Sequence, residues 1–331
     1  MKAIKAYTQI FANFDGQKIL QKLELIGRTC YKSEDKITED SAEKFVAGLI
    51  KRGHEAMLEH ASFIVETSVE FYEQTKDVIE SLAETDGFIS FLRFTDDRRP
   101  IISGNVRAWR DFFKAVLHKN NTLPGTVKTF IKSNSILFPE FQDSEFTKNC
   151  ICDFKILSVF DLQTTNEKLT HWDVTVKFVT DRGISHEIVR HRIASFAQES
   201  TRYCNYSQDK FGNELTFIIP DFLKYGSEGF KLWKEEMKQI EKTYFAMLDA
   251  GHTAQEARSV LPNALKTELI MTANLRECRH FFKLRAANST GAAHPQMLEI
   301  TRPLLDDLKA MIPVVFDDII YKKEGEEDGK Q

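Results

Sequence analysis

The sequence predicts a mixed α+β fold, a single domain with a central antiparallel-type sheet flanked by helices, plus a mainly helical insertion. Two observations predict it: an alternating strand pattern at 172–178 and a long amphipathic helix pattern at 228–250. We found no internal repeat in the 331 residues. We therefore predict one domain over 1–320, an insertion at about 71–155 and a polar tail at 321–331.

The N-terminal part predicts a helix followed by a strand. Over 38–53, TEDSAEKFVAGLIKRG, an apolar stripe recurs at helical spacing, with Asp40 placed to cap the helix and Gly53 to end it. The following EHASFIVETSVEF is typical of a strand. The segment 71–155 then predicts a helix, extended structure in FISFLRFTDDRRPIIS and an amphipathic helix in NVRAWRDFFKAVLHK, without a chemical motif.

From Trp172 to Phe178, apolar residues alternate with polar ones, which predicts a half-buried strand. Gly183 is expected to break the strand and Ser185 to cap a helix beginning with SHEIVRHRIASF. FIIP predicts a short strand, and the Met and aromatic stripe of 228–250 is typical of a core or subunit interface. KTELIMTAN fits a strand or a continued helix. NLRECRHFFKLRA predicts a helix, and another helix follows, interrupted near Pro303.

Composition excludes several classes of protein. A formal charge of −4 argues against a surface built for long polyanions, so we expect no nucleic acid partner and only small anionic ligands. No apolar run is long enough to cross a bilayer and the start lacks a secretory pattern, so we predict a cytoplasmic protein without a membrane partner. The five cysteines form no disulfide framework, although Cys150 and Cys152 leave a weak indication of metal binding.

The stretch RHRIASFAQESTRY, 190–203, carries the densest chemistry. If 185–196 is helical, Arg190 and Arg192 diverge by about 200°, which favours two ligands or two subunits over one small ligand. Solvated arginines on an exposed helix are the alternative. The segment AQESTRY adds hydrogen-bonding groups that can surround a phosphate or polar heterocycle. Ser200 lacks the surroundings of a serine nucleophile.

Three later arginines, Arg258, Arg276 and Arg285, lie among apolar neighbours and so need partners, either structural carboxylates or bound anions. His54 follows a glycine that ends a helix, at the entry to a strand, where sites are often built. No HExxH spacing predicts a metal, so we expect none. No Walker or GxGxxG loop is present, so any phosphate is expected to be held by arginines.

These residues together resemble the flavin-dependent thymidylate synthases. RHRIASFAQES fits the family signature of Arg-His-Arg, seven residues and Ser. Further blocks agree in order: GRTCYKS, GHEAMLEHASF, EIVRHR, STRY, ARSVLP and NLRECRHFFKLR. The resemblance covers about 27–63 and 170–310. It implies a homotetramer with shared active sites that methylates dUMP to dTMP, with methylenetetrahydrofolate as carbon donor and NADPH, through FAD, as reductant. It also implies that no cysteine acts as nucleophile.

Carried over by position, the resemblance implies a catalytic role for Arg285, as a cation that favours ionisation of the uracil ring. The residues implied to bind dUMP are Glu187, Arg190, Gln198, Glu199, Ser200, Thr201, Arg202, Arg258 and Arg285. The residues implied to bind FAD are His54, Ala56, Arg190, His191, Arg192, Gln198, Asn274, Arg276 and His280.

The chain departs from the family pattern at several places. Ala56 and Ala197 replace polar residues of some members, so a contact at Ala56 uses backbone, and His294 receives no role. Two other hypotheses stay open at this point. One is a nucleic-acid-binding or RNA uridine-modifying protein that uses 190–202, and the other is a catalytically silent nucleotide-binding or scaffold protein.

Overall fold

A computed structural model describes residues 1–11, 18–69, 92–95, 99–147, 154–208 and 211–322, together with 71, 73, 75 and 78. The strands are β1 Lys2–Ile4, β2 Tyr7–Phe11, β3 Ser62–Thr67, β4 Arg93–Thr95, β5 Ile101–Asn105, β6 Phe154–Leu157, β7 Asp173–Asp181, β8 Ser195–Gln198, β9 Thr216–Ile218 and β10 Lys266–Asn274. The α-helices are α1 Ile19–Tyr31, α2 Ser41–Lys51, α3 Val106–Asn120, α4 Val127–Ser133, α5 Thr165–His171, α6 Arg182–Ile188, α7 Glu228–Asp249, α8 Ala254–Ala257, α9 Leu275–Arg285 and α10 Pro295–Met311. Short 3₁₀ segments include Glu55–His60.

The central sheet has the strand order β2-β7-β10-β8 and is antiparallel throughout, which confirms the predicted fold class. Its two long strands, β7 and β10, pair from Lys266 opposite Asp181 to Asn274 opposite Asp173. KTELIMTAN is therefore a strand. A separate pair, β1 and β9, runs parallel and joins the N-terminus to the FIIP segment.

Both faces of β7 are buried, so the prediction of a half-buried strand is wrong. Val174, Val176 and Phe178 pack into an apolar core with α9 and α10, as the alternation predicts. On the opposite face, Thr175 is only 3% exposed because α1 and the Glu55–His60 segment cover this side of the sheet. Sequence alternation identifies the two faces of a strand, but not what packs on the polar one.

The covered polar face holds His60 away from water. Its Nδ1 lies 2.8 Å from Thr272 Oγ1, and Thr272 in turn bonds Thr175. Burial, reinforced by the charge of Lys22, lowers the pKa of His60 to about 3. The ring is therefore neutral in the folded chain at any pH above that value.

Acid should destabilise the fold through His60. Below pH 6.5 the unfolded chain is protonated at this histidine, whereas the folded chain stays unprotonated there. The free energy of unfolding therefore falls as the pH drops from 6.5 toward 3. The slope approaches about 1.4 kcal/mol per pH unit for one such group. In urea unfolding at pH 4, 5, 6 and 7, His60→Asn should flatten this slope. His118→Asn, at an exposed position on α3, should leave it as in the wild type; equal slopes in all three proteins would contradict this account.

A second antiparallel sheet, β4-β5-β3-β6, packs against α3 and α4 around the fully buried Trp109. Strand β3 lies before the predicted insertion of 71–155, and strand β6 crosses the C-terminal end of that range. The second sheet therefore includes more of the chain than the predicted insertion. Ser62 begins β3 of this unit, and Asp173 begins β7 of the central sheet. These two positions lie close together, since Ser62 Oγ donates to Asp173 Oδ2 at 2.6 Å. The described residues of 71–155 contribute both helices and strands to this unit, and part of FISFLRFTDDRRPIIS lies outside them.

Several helix boundaries agree with the predictions. Helix α2 begins after Asp40 and ends before Gly53, whose φ of +70° suits glycine, although the Asp40 side chain makes no capping bond. On α7, the predicted apolar stripe is core: Met237 and Tyr244 are buried, with Trp233, Ile240 and Leu248 packed against them.

Other boundaries were predicted wrongly. Strand β7 continues to Asp181, whose side chain accepts from Ile184 N and caps α6, so Gly183 and Ser185 lie inside that helix. Helix α6 ends at Ile188, and 195–198 is strand β8 because it pairs with β10. Helix α10 continues through Pro303, since apolar contacts along its buried side offset the missing hydrogen bond.

Within the described ranges no helix is both long and apolar enough to span a bilayer. Cys150 and Cys152 lie outside the described residues, as does the predicted tail beyond residue 322.

Candidate active site

A cavity of about 520 Å³ opens beside β8, and we call it the β8 cavity. Four predicted site residues line it: His54, Ala56, Gln198 and Ser200. They meet there because the Glu55–His60 segment packs on β8, while the end of α1 approaches the loop after β8, where Ser200 N donates to Cys30 O at 3.0 Å. A smaller cavity beside it, of about 450 Å³, also has His54, Tyr31 and Tyr203 in its wall.

Aromatic and apolar groups form much of this wall. Tyr31 and Tyr203 contact each other with ring centroids 5.5 Å apart, and Met57 and Phe196 also face the space. Gln198 has a fixed orientation, since its Nε2 donates to Ser185 Oγ at 2.9 Å and to Thr267 Oγ1 at 3.2 Å. The cavity therefore combines flat apolar surfaces with an immobilised amide, which suits a planar heterocycle.

The second sheet also contributes to this cavity. Arg107 of α3 lines it and donates to Glu59 Oε1 at 2.7 Å, and Glu59 Oε2 accepts from Ser195 Oγ of β8 at 3.0 Å. No sequence motif pointed to Arg107, which lies in the segment predicted as an insertion without a chemical motif. Glu59 was equally missed, and its place beside His60 in GHEAMLEH was the only available hint.

The loop after β8 divides its side chains between interior and solvent. Glu199 is 3% exposed and accepts from Lys266 Nζ at 2.9 Å and from Tyr206 OH at 3.2 Å. Thr201 is also buried, whereas Arg202 is exposed and donates to Gln255 Oε1 at 3.2 Å. The loop is thus anchored by Glu199, and its exposed members are the ones available to a ligand.

A second group of predicted residues lies at the end of α6 and along α9. Arg285 NH1 donates to Glu187 Oε2 at 3.1 Å, and its Nε donates to His191 Nε2 at 3.3 Å. Arginine only donates, so His191 Nε2 accepts and the ring proton is on Nδ1. His191 Nδ1 lies 3.1 Å from Glu277 Oε1 and donates its proton to that carboxylate. The chain Glu187–Arg285–His191–Glu277 therefore fixes both the arginine and the imidazole.

Sequence reasoning missed Glu277, which completes this chain. It is 7% exposed, and its backbone NH is capped by the side chain of Asn274 at 2.9 Å. The available signal was an acidic residue in the first turn of a helix, on the same face as Phe281, whose ring packs 4.9 Å from that of His191.

His191, Glu277 and His280 also place three ligand-capable atoms within 4.8 Å of one another. A metal ion there would compete with the Arg285 guanidinium for His191 Nε2, and the fixed positive charge would repel it. The arrangement favours a hydrogen-bond network over a metal centre.

The remaining predicted residues lie at the surface or in structural bonds. Residues 190–192 are not helical, so the angle of about 200° between Arg190 and Arg192 has no basis. His191 points inward and is 5% exposed, while the guanidinium groups of both arginines are exposed and have no hydrogen-bond or ion-pair partner among the described residues. Two unpaired guanidiniums on either side of a buried histidine suit an anionic ligand at the surface.

The predicted site residues after position 250 are also either exposed or held in hydrogen bonds within the protein. Arg258 and His280 are exposed, so Arg258 does not need a structural carboxylate to offset burial. Arg276 donates to Asn166 Oδ1 at 3.0 Å and to Thr170 Oγ1 at 3.2 Å. Asn274 is buried, and its amide donates to Thr170 O while its oxygen caps α9. None of the predicted residues on α6 or α9 is among the described residues that line the β8 cavity.

Comparison with known proteins finds one family that matches part of this chain. Residues 163–314 match the model of the thymidylate synthase complementing protein family, Thy1. The flavin-dependent thymidylate synthase of Pyrococcus furiosus is 36% identical over 127 residues, which cover 38% of this chain and 50% of that protein. The synthase of Geobacter sulfurreducens is 34% identical over 137 residues, 41% of this chain and 56% of that protein. The chain thus spans about half the length of these curated relatives.

A solved structure of a UMP/dUMP methylase PolB from Streptomyces cacaoi, bound with 5-bromo-dUMP, aligns over 96% of this chain and 95% of its own. Its identity is 14% and the TM-score is 0.41. The family match spans the Arg-His-Arg segment and α9, where the Glu187–Arg285–His191–Glu277 network lies. Over residues 163–314, less than half of its length, the chain is therefore similar to the thymidylate synthase complementing protein family.

Proposed function

We propose that this protein is a flavin-dependent thymidylate synthase, which methylates dUMP to dTMP with methylenetetrahydrofolate as carbon donor, FAD as cofactor and NADPH as reductant. The observation that carries the proposal is the buried His191 held between Arg285 and Glu277, within the segment that matches the family. The curated relatives are named flavin-dependent thymidylate synthases.

The residues present fit FAD. The β8 cavity offers the flat apolar wall and fixed amide that suit a heterocyclic ring, and His54 and Ala56 lie at its edge. Arg190 and Arg192 supply unpaired guanidiniums for a pyrophosphate, with Arg276 and His280 exposed nearby on α9. When bound, the flavin would supply the redox chemistry that the protein side chains lack.

In this proposal the protein binds and polarises the nucleotide. Ser200, Arg202 and Arg258 offer donors to its phosphate, while Thr201 and the anchored Glu199 hold the loop in shape. Arg285 presents a cation where negative charge develops on the uracil ring. Glu187 and His191 orient that guanidinium.

The three cysteines among the described residues support a mechanism without a thiolate nucleophile. Cys30 lines the β8 cavity, yet burial raises its pKa to about 11. Cys204 is buried, and burial also raises the pKa of Cys278 far above its usual range. A thiol in such surroundings is poorly activated at neutral pH.

The proposal includes the homotetramer that the resemblance implies. Supporting it, the β8 cavity and the α6–α9 group are separate sets of residues in one chain, so a second copy is the simplest way to bring them to one ligand pair. We retain the cytoplasmic location as part of the same proposal.

A flavin titration tests the proposed function. Purified protein should bind FAD at micromolar concentration, with a flavin absorption spectrum that changes on addition of dUMP. NADPH oxidation should then require both dUMP and methylenetetrahydrofolate. Absence of FAD binding would refute the synthase proposal, whereas FAD binding without turnover would favour a silent nucleotide-binding protein.

A further inference from the structure

A second cavity, of about 360 Å³, lies where the second sheet meets the central sheet, and we call it the Lys22 cavity. It is lined from both units: Ile19 and Lys22 of α1, Phe63 and Ile64 of β3, and Leu157 of β6, with Asp173 at the start of β7. It shares no lining residue with the β8 cavity and contains none of the predicted site residues.

Most polar groups in its wall already have partners. Asp173 accepts from Ser62 Oγ at 2.6 Å and from Arg93 NH1 at 2.5 Å. Ser158 Oγ donates to Asp161 at 2.8 Å, and the backbone NH of Ser158 donates to the same carboxylate. These four lining residues are therefore engaged within the protein.

The histidine in the wall is engaged as well. His171 Nδ1 lies 2.7 Å from Ser103 Oγ and its Nε2 lies 3.2 Å from Thr95 Oγ1. Burial, reinforced by Arg93, lowers its pKa to about 4, so the ring is neutral at physiological pH.

Lys22 is the exception. Its ammonium has no hydrogen-bond or ion-pair partner among the described residues, although it is partly buried. Burial lowers its pKa to about 8 against the opposing charge of Asp173, so the amine is mostly protonated at pH 7. A partly desolvated cation without a partner is costly, and an anion in the cavity would remove that cost.

We propose that the Lys22 cavity binds a small carboxylate with an apolar body, whose carboxyl group pairs with the Lys22 ammonium while its body packs on Phe63, Ile64 and Leu157. One free ammonium matches one negative charge. The carboxylates of Asp173 and Asp161 in the wall oppose a dianion, so the chemistry disfavours phosphate. The volume lies at the low end for ligand pockets, which suits a compact molecule.

Calorimetric titration of the full-length protein with benzoate, and separately with inorganic phosphate, tests this site. Lys22→Met should weaken benzoate binding at least about tenfold, because it removes the pairing charge and keeps the apolar stem. The matched control Lys18→Met changes an exposed lysine one helical turn earlier and should bind benzoate like the wild type. Equal benzoate affinity in the wild type and Lys22→Met, no benzoate binding at millimolar concentration, or tighter binding of phosphate would each overturn the proposal.

The pH dependence provides a second readout. The described charged and titratable groups around Lys22 are Asp173, Asp161 and His171 in the cavity wall, Arg93, which pairs with Asp173, and His60, whose pKa Lys22 helps to lower. The pKa values of the two histidines are about 3 and about 4, so both rings are neutral at pH 7. Lys22 is therefore the group that titrates here between pH 7 and 9, and its protonated fraction falls about tenfold over that range. Benzoate affinity should fall by the same factor. FAD binding tests the synthase proposal separately, so either proposal can fail alone.

Discussion

Arg285→Ala should lower dTMP formation by about 10²- to 10³-fold, the usual effect of removing one fixed donor at a developing negative charge. The structure makes Arg285 suited to that role because its guanidinium is held on one side by Glu187 and on the other by His191. Retention of FAD should change little, since Arg285 lies at the end of α9, away from the β8 cavity. Steady-state turnover and a flavin titration on the same preparation measure both quantities.

Two other arginines serve as comparisons. Arg192→Ala should mainly weaken FAD binding, because that guanidinium is exposed and unpaired within the described residues. Arg279→Ala removes an arginine of the same helix that pairs with Asp318 at 2.6 Å, and turnover should remain near the wild type. If Arg285→Ala and Arg192→Ala lose flavin equally, the separate roles assigned to them are wrong.

Glu268→Ala should destabilise the fold by about 3–5 kcal/mol, because it leaves buried positive charge uncompensated. Glu268 is 8% exposed and pairs with Lys266 at 2.6 Å, with Lys177 at 3.3 Å and with Lys32. Burial by itself raises the pKa of this carboxyl, but Lys266 and Lys32 bring it down to about 2. The carboxylate is thus charged at neutral pH.

Chemical denaturation at pH 7 measures this loss. Glu34→Ala is the matched control, since it removes a more exposed carboxylate that also pairs with Lys32, at 3.2 Å, and should cost less than about 1 kcal/mol. Turnover should fall in Glu268→Ala as well, because Lys266 also anchors Glu199 and thereby the loop that carries Ser200. A loss near 1 kcal/mol in Glu268→Ala would show that the lysines find other partners.

Hydrophobic patterns over short stretches of sequence predicted strand β7 and helix α7. The alternation at 172–178 identified β7, and the stripe on α7 identified its core face. They failed at 185–198, where the helical pattern was extended over a segment that pairs with β10. Residues 195–198 pair with a strand that follows about seventy residues later, and a local sequence pattern cannot show such pairing. Tertiary contact therefore decided where α6 ends and β8 begins.

The sequence by itself determined the resemblance to the thymidylate synthase complementing protein family, through ordered blocks that include the Arg-His-Arg segment, and the presence of a mixed fold. Only the tertiary structure decided which basic residues share a site, because partners such as Glu277 and His191 are 86 positions apart in the chain. It also brought Arg107 of α3 to the β8 cavity and left Lys22 without a partner among the described residues. Burial and charge pairing depend on what packs against a residue, and that packing is a property of the whole chain.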